Sequence, residues 1–230
     1  MPAPLLQEVR DRIERLELPF NRFGFDPYGI SKREVGIYLS FLGATYRHYF
    51  HVTHGGLEHV PPRGRVMLVG NHSGGIAVDA AMVTATLFFE MEPPRLLHGM
   101  AEKFISRVPF ASTLLSRAGQ FPGLPEHAVR LLLDDRALLV FPEGARGTAK
   151  LFHERYSLVE FGSGFVRLAL KTRTPIVPFA FFGAGEAVPT VYNETRLAKL
   201  LGVPYLPITP YGAPLPLPAR PLRRSRREHQ

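Results

Sequence analysis

Apolar residues recur at helical spacing from the start of the chain. Leu5, Leu6, Val9, Ile13 and Leu16 stand among Glu8, Arg10, Asp11, Arg12 and Arg15, which predicts an amphipathic helix ending before Pro19. Ser31 with Glu34 three residues later reads as a capping box opening a second helix, Lys32 to about His51. Its apolar members cover more than one face and predict a core-packing helix. The alternative is an interfacial helix, because Arg47 and His48 lie among aromatics. After a turn-rich connector from Gly55 to Gly64 the pattern changes. Val66–Val69, Arg95–His98, Ala118–Phe121 and Ala137–Phe141 are short apolar runs of strand length, and Thr174–Phe182 reads as a long buried strand interrupted by Pro178. Between them lie helical stretches at Ala80–Glu90, Ala101–Arg117, Glu126–Asp134 behind Pro125, and Phe161–Lys171. Strands alternating with helices predict an α/β class: a layered fold with a largely parallel central sheet flanked by helices, preceded by an N-terminal helical segment.

This divides the chain into N-terminal amphipathic helices (1–54), an α/β core (55–202), and a proline-rich segment with a basic tail (203–230). From Val203 onward the prolines predict extended chain wrapping a surface, or a weakly ordered tail.

With 230 residues there is enough chain for a full core. There is no cysteine, which excludes disulfides and thiolate metal sites and permits a reducing compartment. The formal charge is +8; residues 220–230 hold five arginines and one glutamate, so the tail supplies +4 of it. Such a surface suits anionic lipid, an acidic carrier protein or nucleic acid. No apolar run approaches the roughly 18 residues needed to span a bilayer, and the first residues lack the basic-then-apolar pattern of a secretory signal. Any membrane contact is therefore expected at the surface.

Several motifs are missing. Gly144–Lys150 lacks the spacing of a phosphate loop, Gly-x-Gly-x-x-Gly does not occur, and Asn71 stands where a Gly-x-Ser-x-Gly nucleophile elbow around Ser73 needs glycine. The nine histidines form no His-Glu-x-x-His pair, so no metal site is predicted. What remains is a pair of loops, each after a strand. Asn71-His72 and Asp79 flank the flexible Gly74-Gly75, and Phe141-Pro142-Glu143-Gly144-Ala145-Arg146 follows about seventy residues later. Both fall at carboxyl ends of strands, where open α/β sheets bind ligands. A histidine with an aspartate can act as a base and its orienter; a loop histidine and a helix-capping aspartate would look the same.

The two blocks resemble the signatures Asn-His-x4-Asp and Phe-Pro-Glu-Gly-Thr-Arg of the PlsC-type glycerolipid and lysophospholipid acyltransferases, and Thr174-Pro175-Ile176-Val177-Pro178 looks like that family's later proline-containing strand. The resemblance covers roughly Leu57 to Gly185. It implies acyl transfer from a thioester donor, acyl-CoA or acyl carrier protein, to a hydroxyl of a lysophospholipid or other glycerolipid. His72 and Asp79 would be catalytic, and Asn71, Glu143, Gly144 and Arg146 would bind substrate. No separate cofactor is implied. The partners would be the donor and a membrane lipid surface rather than nucleic acid, with the protein cytoplasmic and peripheral on the inner membrane surface. Backbone donors around Gly144 are the expected oxyanion hole and Arg146 the phosphate clamp; Glu143 would order the loop, touch acceptor hydroxyls, or pair with Arg146.

The chain departs from the family pattern in three places. Six residues separate His72 from Asp79 instead of four, as in branches resembling the mono- and diacylglycerol acyltransferases. On one continuous helix that spacing would hold the pair about 10 Å apart, so Gly74-Gly75 must loop out for them to meet. Leu124 stands where a Gly-x4-Arg block would place an arginine after Gly119, and the chain continues into its basic tail where relatives add a strand. The acyl groove is not legible; Phe104, Phe110, Phe121 and Phe165 are candidates for it, but phenylalanine in an α/β protein is usually core. Two other functions suit the same residues: a thioesterase or lipid hydrolase using His72 on water, and a non-catalytic basic lipid-binding module.

Overall fold

The computed structural model describes residues 3–101, 111–212 and 215–218. Its centre is a parallel sheet of five strands: β1 (Val66–Gly70), β2 (Leu97–Ala101), β3 (Phe121–Pro122), β4 (Ala137–Val140) and β5 (Ile176–Phe179), in the spatial order β3-β2-β4-β1-β5. Helices α3 (Val78–Glu90), α4 (Ala111–Arg117), α5 (Pro125–Leu133) and α7 (Gly164–Thr172) connect or cover them, as the alternation predicts. Side chains of the central strands divide between two apolar clusters with a period of two. Met67, Val69 and Leu138 enter one; Val66, Leu68, Ala137 and Leu139 enter the other. Burial on both faces is why β1 and β4 are unbroken apolar runs.

The N-terminal helices α1 (Ala3–Glu14) and α2 (Lys32–Ala44) join the first of these clusters. Leu5, Val9, Ile13, Val35, Leu39 and Leu42 pack with Phe88 and Phe89 of α3. Thus α2 is core-packing on one face, while Ile37 and Phe41 on the other stay exposed. The α-helix gives way at Thr45 to a wider π-turn through Tyr49, short of the expected end near His51. The capping box does not form. The Ser31 amide donates to Arg117 C=O, so Glu34 bonds the Ser31 hydroxyl instead, which holds the Glu34 carboxyl below its ordinary range.

The expectation of a long buried strand from Thr174 to Phe182 is corrected. β5 has four residues, lies at the sheet edge and is half exposed. Met67 N–H donates to Pro175 C=O, so in a parallel ladder the backbone groups of 177 and 179 face β1 and those of 176 and 178 face outward. Pro178 therefore occupies a slot where no ladder hydrogen bond is lost, the usual place for an edge-strand proline. The helix expected over Ala101–Arg117 is α4 at its end, with Ala101 closing β2; the segment between lies outside the described residues. Sequence periodicity also missed the short helices α6 (Ala145–Thr148), α8 (Ala184–Ala187) and α9 (Arg196–Leu201).

The proline-rich stretch contributes β7 (Leu206–Ile208), antiparallel to β6 (Tyr192–Glu194). Among the described residues no helix is long and apolar enough to cross a membrane.

Candidate active site

Two loops meet at the carboxyl ends of the neighbouring strands β1 and β4. The first runs from Asn71 to Ala77 before α3 begins, so His72 is off the helix and Asp79 is its second residue. Gly74 and Gly75 have φ of 91° and 65°, values that side-chain-bearing residues rarely adopt. They fold the six-residue spacer back on itself. A Cβ on Gly74 would also lie 2.5 Å from Ala184 O.

The loop brings His72 Nδ1 to 2.8 Å from Asp79 Oδ2. Asp79 is fully buried and also accepts the Ser73 N–H at 2.9 Å and the Ala80 N–H at 2.8 Å. A carboxylate can only accept at Nδ1, so this contact places a proton there, and in the neutral imidazole the lone pair falls on Nε2. Nε2 has no hydrogen-bond partner among the described residues, and the side chain keeps 12% exposure. The ring lies flat on Phe141, with centroids 3.9 Å apart and planes 8° from parallel.

The second loop holds the first. Glu143 is buried. Its Oε1 accepts the His72 backbone N–H at 2.7 Å, while Oε2 accepts from Lys150 Nζ at 2.8 Å and from the Val159 N–H at 2.9 Å. Of the roles expected for Glu143, ordering the loop is the one the contacts display; its ionic partner is Lys150 and not Arg146. Asn71 forms a two-way clasp with the Phe181 backbone: Nδ2 donates to its C=O at 2.8 Å and Oδ1 accepts its N–H at 2.7 Å. The Gly144 N–H donates to Phe141 C=O at 3.0 Å, and its φ of 57° with ψ of −151° is a region essentially reserved for glycine. Arg146 is exposed on α6, with Nη2 3.0 Å from Glu160 O.

Several contributors escaped the sequence reading. Gly147 lets α6 approach the base: a Cβ there would lie 2.7 Å from His72 Cβ and 2.9 Å from His72 O. Tyr205, next to β7, donates its hydroxyl to Gly75 O at 3.0 Å and also bonds Thr148 Oγ1, while Gly75 N–H donates to Thr148 O at 3.0 Å. Lys150 and Tyr205 belong to neither signature block, and nothing in their spacing marks them. Of the residues considered for an acyl groove, Phe121 belongs to the main core cluster and Phe165, partly buried, packs against it; Phe104 and Phe110 lie outside the described residues. No group of three or more metal-ligating side chains occurs among the described residues.

Residues 51–182, more than half of the chain, match the family model described as Acyltransferase. The chain therefore belongs to the PlsC-type acyltransferase family. It is 35% identical over 191 residues to an uncharacterized protein of Mycobacterium tuberculosis, covering 83% of this chain and 52% of the relative. It is 29% identical over 147 residues to a human protein named DGAT1/2-independent enzyme synthesizing storage lipids, covering 64% and 44%. It is 24% identical over 144 residues to a 1-acyl-sn-glycerol-3-phosphate acyltransferase of Borreliella burgdorferi, covering 57% and 51%. The chain spans about half the length of the curated relatives it matches. No solved structure matches it.

Proposed function

We propose, taking membership of the acyltransferase family as the premise, that this protein transfers a fatty acyl group from a thioester donor to a hydroxyl of a glycerolipid, with His72 as general base. The observation that carries this reading is the 2.8 Å contact between His72 and Asp79, made across a spacing that a continuous helix would hold open. In this mechanism Nε2 removes the proton from the acceptor hydroxyl as its oxygen attacks the thioester carbonyl. The tetrahedral intermediate collapses, the C–S bond breaks, and the imidazolium returns the proton to the departing thiolate. Asp79 fixes the tautomer and stabilises the imidazolium. Asn71 and Glu143 act through the loops they hold. Gly144, whose own N–H is engaged, contributes the turn that exposes the start of α6. Arg146, exposed and with guanidinium N–H groups beyond the one given to Glu160 C=O, is the group in this loop suited to meet an anion on donor or acceptor.

A lipid surface is the natural source of acceptor. Phe161 and Phe182 stay exposed beside Gly162, whose N–H bonds Pro142 O, and Phe181, which Asn71 clasps. They flank the two loops with apolar surface next to Arg146, a combination suited to headgroups.

The test is thiol release from acyl-CoA or acyl carrier protein by purified protein with a panel of lysophospholipids, monoacylglycerols and diacylglycerols. Release should depend on an acceptor and be abolished in His72→Ala and Asp79→Ala. Release that ignores the acceptor would establish a hydrolase instead, and no release with any pair would refute the proposal.

A further inference from the structure

The site contains one ion pair that the acyl-transfer chemistry does not use. Glu143 and Lys150 are both buried, with side chains 0% and 3% exposed, and their charges lie 2.8 Å apart. The pair reaches the base directly: the second carboxylate oxygen of Glu143 accepts the main-chain N–H of His72 at 2.7 Å. Lys150 is held on its other side by Ser157 C=O at 2.9 Å. Burying two charges is expensive and often neutral or worse for stability, so the arrangement calls for a reason beyond cohesion.

We propose that Lys150 is a positioning residue for this site. It keeps the Glu143 carboxylate aimed at the His72 backbone and cancels its charge, so that among the described residues Asp79 is the carboxylate in contact with the imidazole that has no cation paired to it. Among the described residues, the charged groups bonded to His72 are Asp79 from α3 and Glu143, with its partner Lys150, from the segment around α6; the Tyr205 hydroxyl reaches the same loop from beside β7. Without Lys150, a bare carboxylate against the His72 backbone would stabilise the imidazolium and withdraw the neutral base at working pH. Without Glu143, a bare ammonium would do the reverse. The inference rests on the base role given to His72 above, but its electrostatic content can be measured without turnover.

The experiment follows the titration of the His72 imidazole by NMR in the full chain, its resonances identified by their loss in His72→Gln, beside pH profiles of kcat/KM. Lys150→Met should raise the His72 midpoint, and with it the acid limb of the profile, by on the order of one pH unit. Glu143→Gln should lower both. The neutral pair Glu143→Gln/Lys150→Met should return them toward wild type, and Lys150→Arg should leave them in place. A residue that merely supports the fold would not move the midpoint in opposite directions, so coincident midpoints in the single variants would overturn the proposal. If Lys150→Met does not fold, Glu143→Gln and Lys150→Arg still decide it. Midpoints that move between the variants as described in a protein that releases no thiol would sink the acyl-transfer reading and leave the role of the pair standing.

Discussion

Replacing His98 by glutamine removes a titrating group from inside β2, and the pH dependence of stability should report the change. His98 is fully buried. Its Nδ1 donates to Gly119 C=O at 2.9 Å, while Nε2 is buried with no partner. Burial, aided by the positive charges of Arg136 and Arg95, pushes the imidazole down from 6.5 to about 4. The unfolded chain takes up a proton near 6.5 and the folded chain resists until about 4. Stability is therefore intact above 6.5, falls across that window, and loses the whole contribution below 4. Each pH unit is worth 1.36 kcal/mol, so the window corresponds to about 3 kcal/mol. Urea unfolding at pH 7, 6, 5 and 4 would follow it. Carboxylates shared by both proteins, such as Glu8 held low by Arg47, drop out of the difference. His98→Gln does not titrate, and its amide lies at the Nε2 position rather than at the Nδ1 that serves Gly119, so it should start less stable than wild type at pH 7 and approach or overtake it by pH 4. Parallel curves, within about 0.5 kcal/mol of a constant offset, would refute the reasoning.

Two further predictions concern the loops and the core. Gly147→Ala places a methyl group against both His72 and Glu143 and should cost about 1–3 kcal/mol by overpacking, with kcat in the thiol-release assay falling more than ten-fold; thermal unfolding and kinetics check the two parts. Arg136→Met leaves the buried Asp26, 3.0 Å from Arg136 Nη2, without its cation and should cost about 3–5 kcal/mol. Adding Asp26→Asn should recover much of that in urea unfolding, since the Tyr28 and Ile30 N–H groups that Asp26 accepts would still find an amide oxygen.

How much of this was legible in the sequence depends on the range of the physics involved. β1, β4 and α5 were readable because their apolar period and the proline opening α5 are local. The His72–Asp79 contact was readable as a condition: the spacing demanded a loop at Gly74-Gly75, and the positive φ values there supply it. β5 was misjudged because a proline on an edge strand and an apolar run in a core look alike until sheet order is known. Lys150 and Tyr205 were invisible for a related reason. Each is joined to the site by tertiary contacts from a stretch whose local pattern carries no sign of them. The failed capping box makes the same point at short range, since the Arg117 carbonyl took the donor that Glu34 would have used.

The cluster shared by α1, α2 and α3 separates the extent of the family match from the unit of folding. The family match begins at residue 51, yet Leu5, Val9, Ile13, Val35, Leu39 and Leu42 close the same interior as Phe88 and Phe89. An excised 51–182 fragment would expose the flank of the helix that carries Asp79. Its inactivity would then say nothing about catalysis, and domain swaps between relatives should take their crossover point from this interior rather than from the edge of the family match.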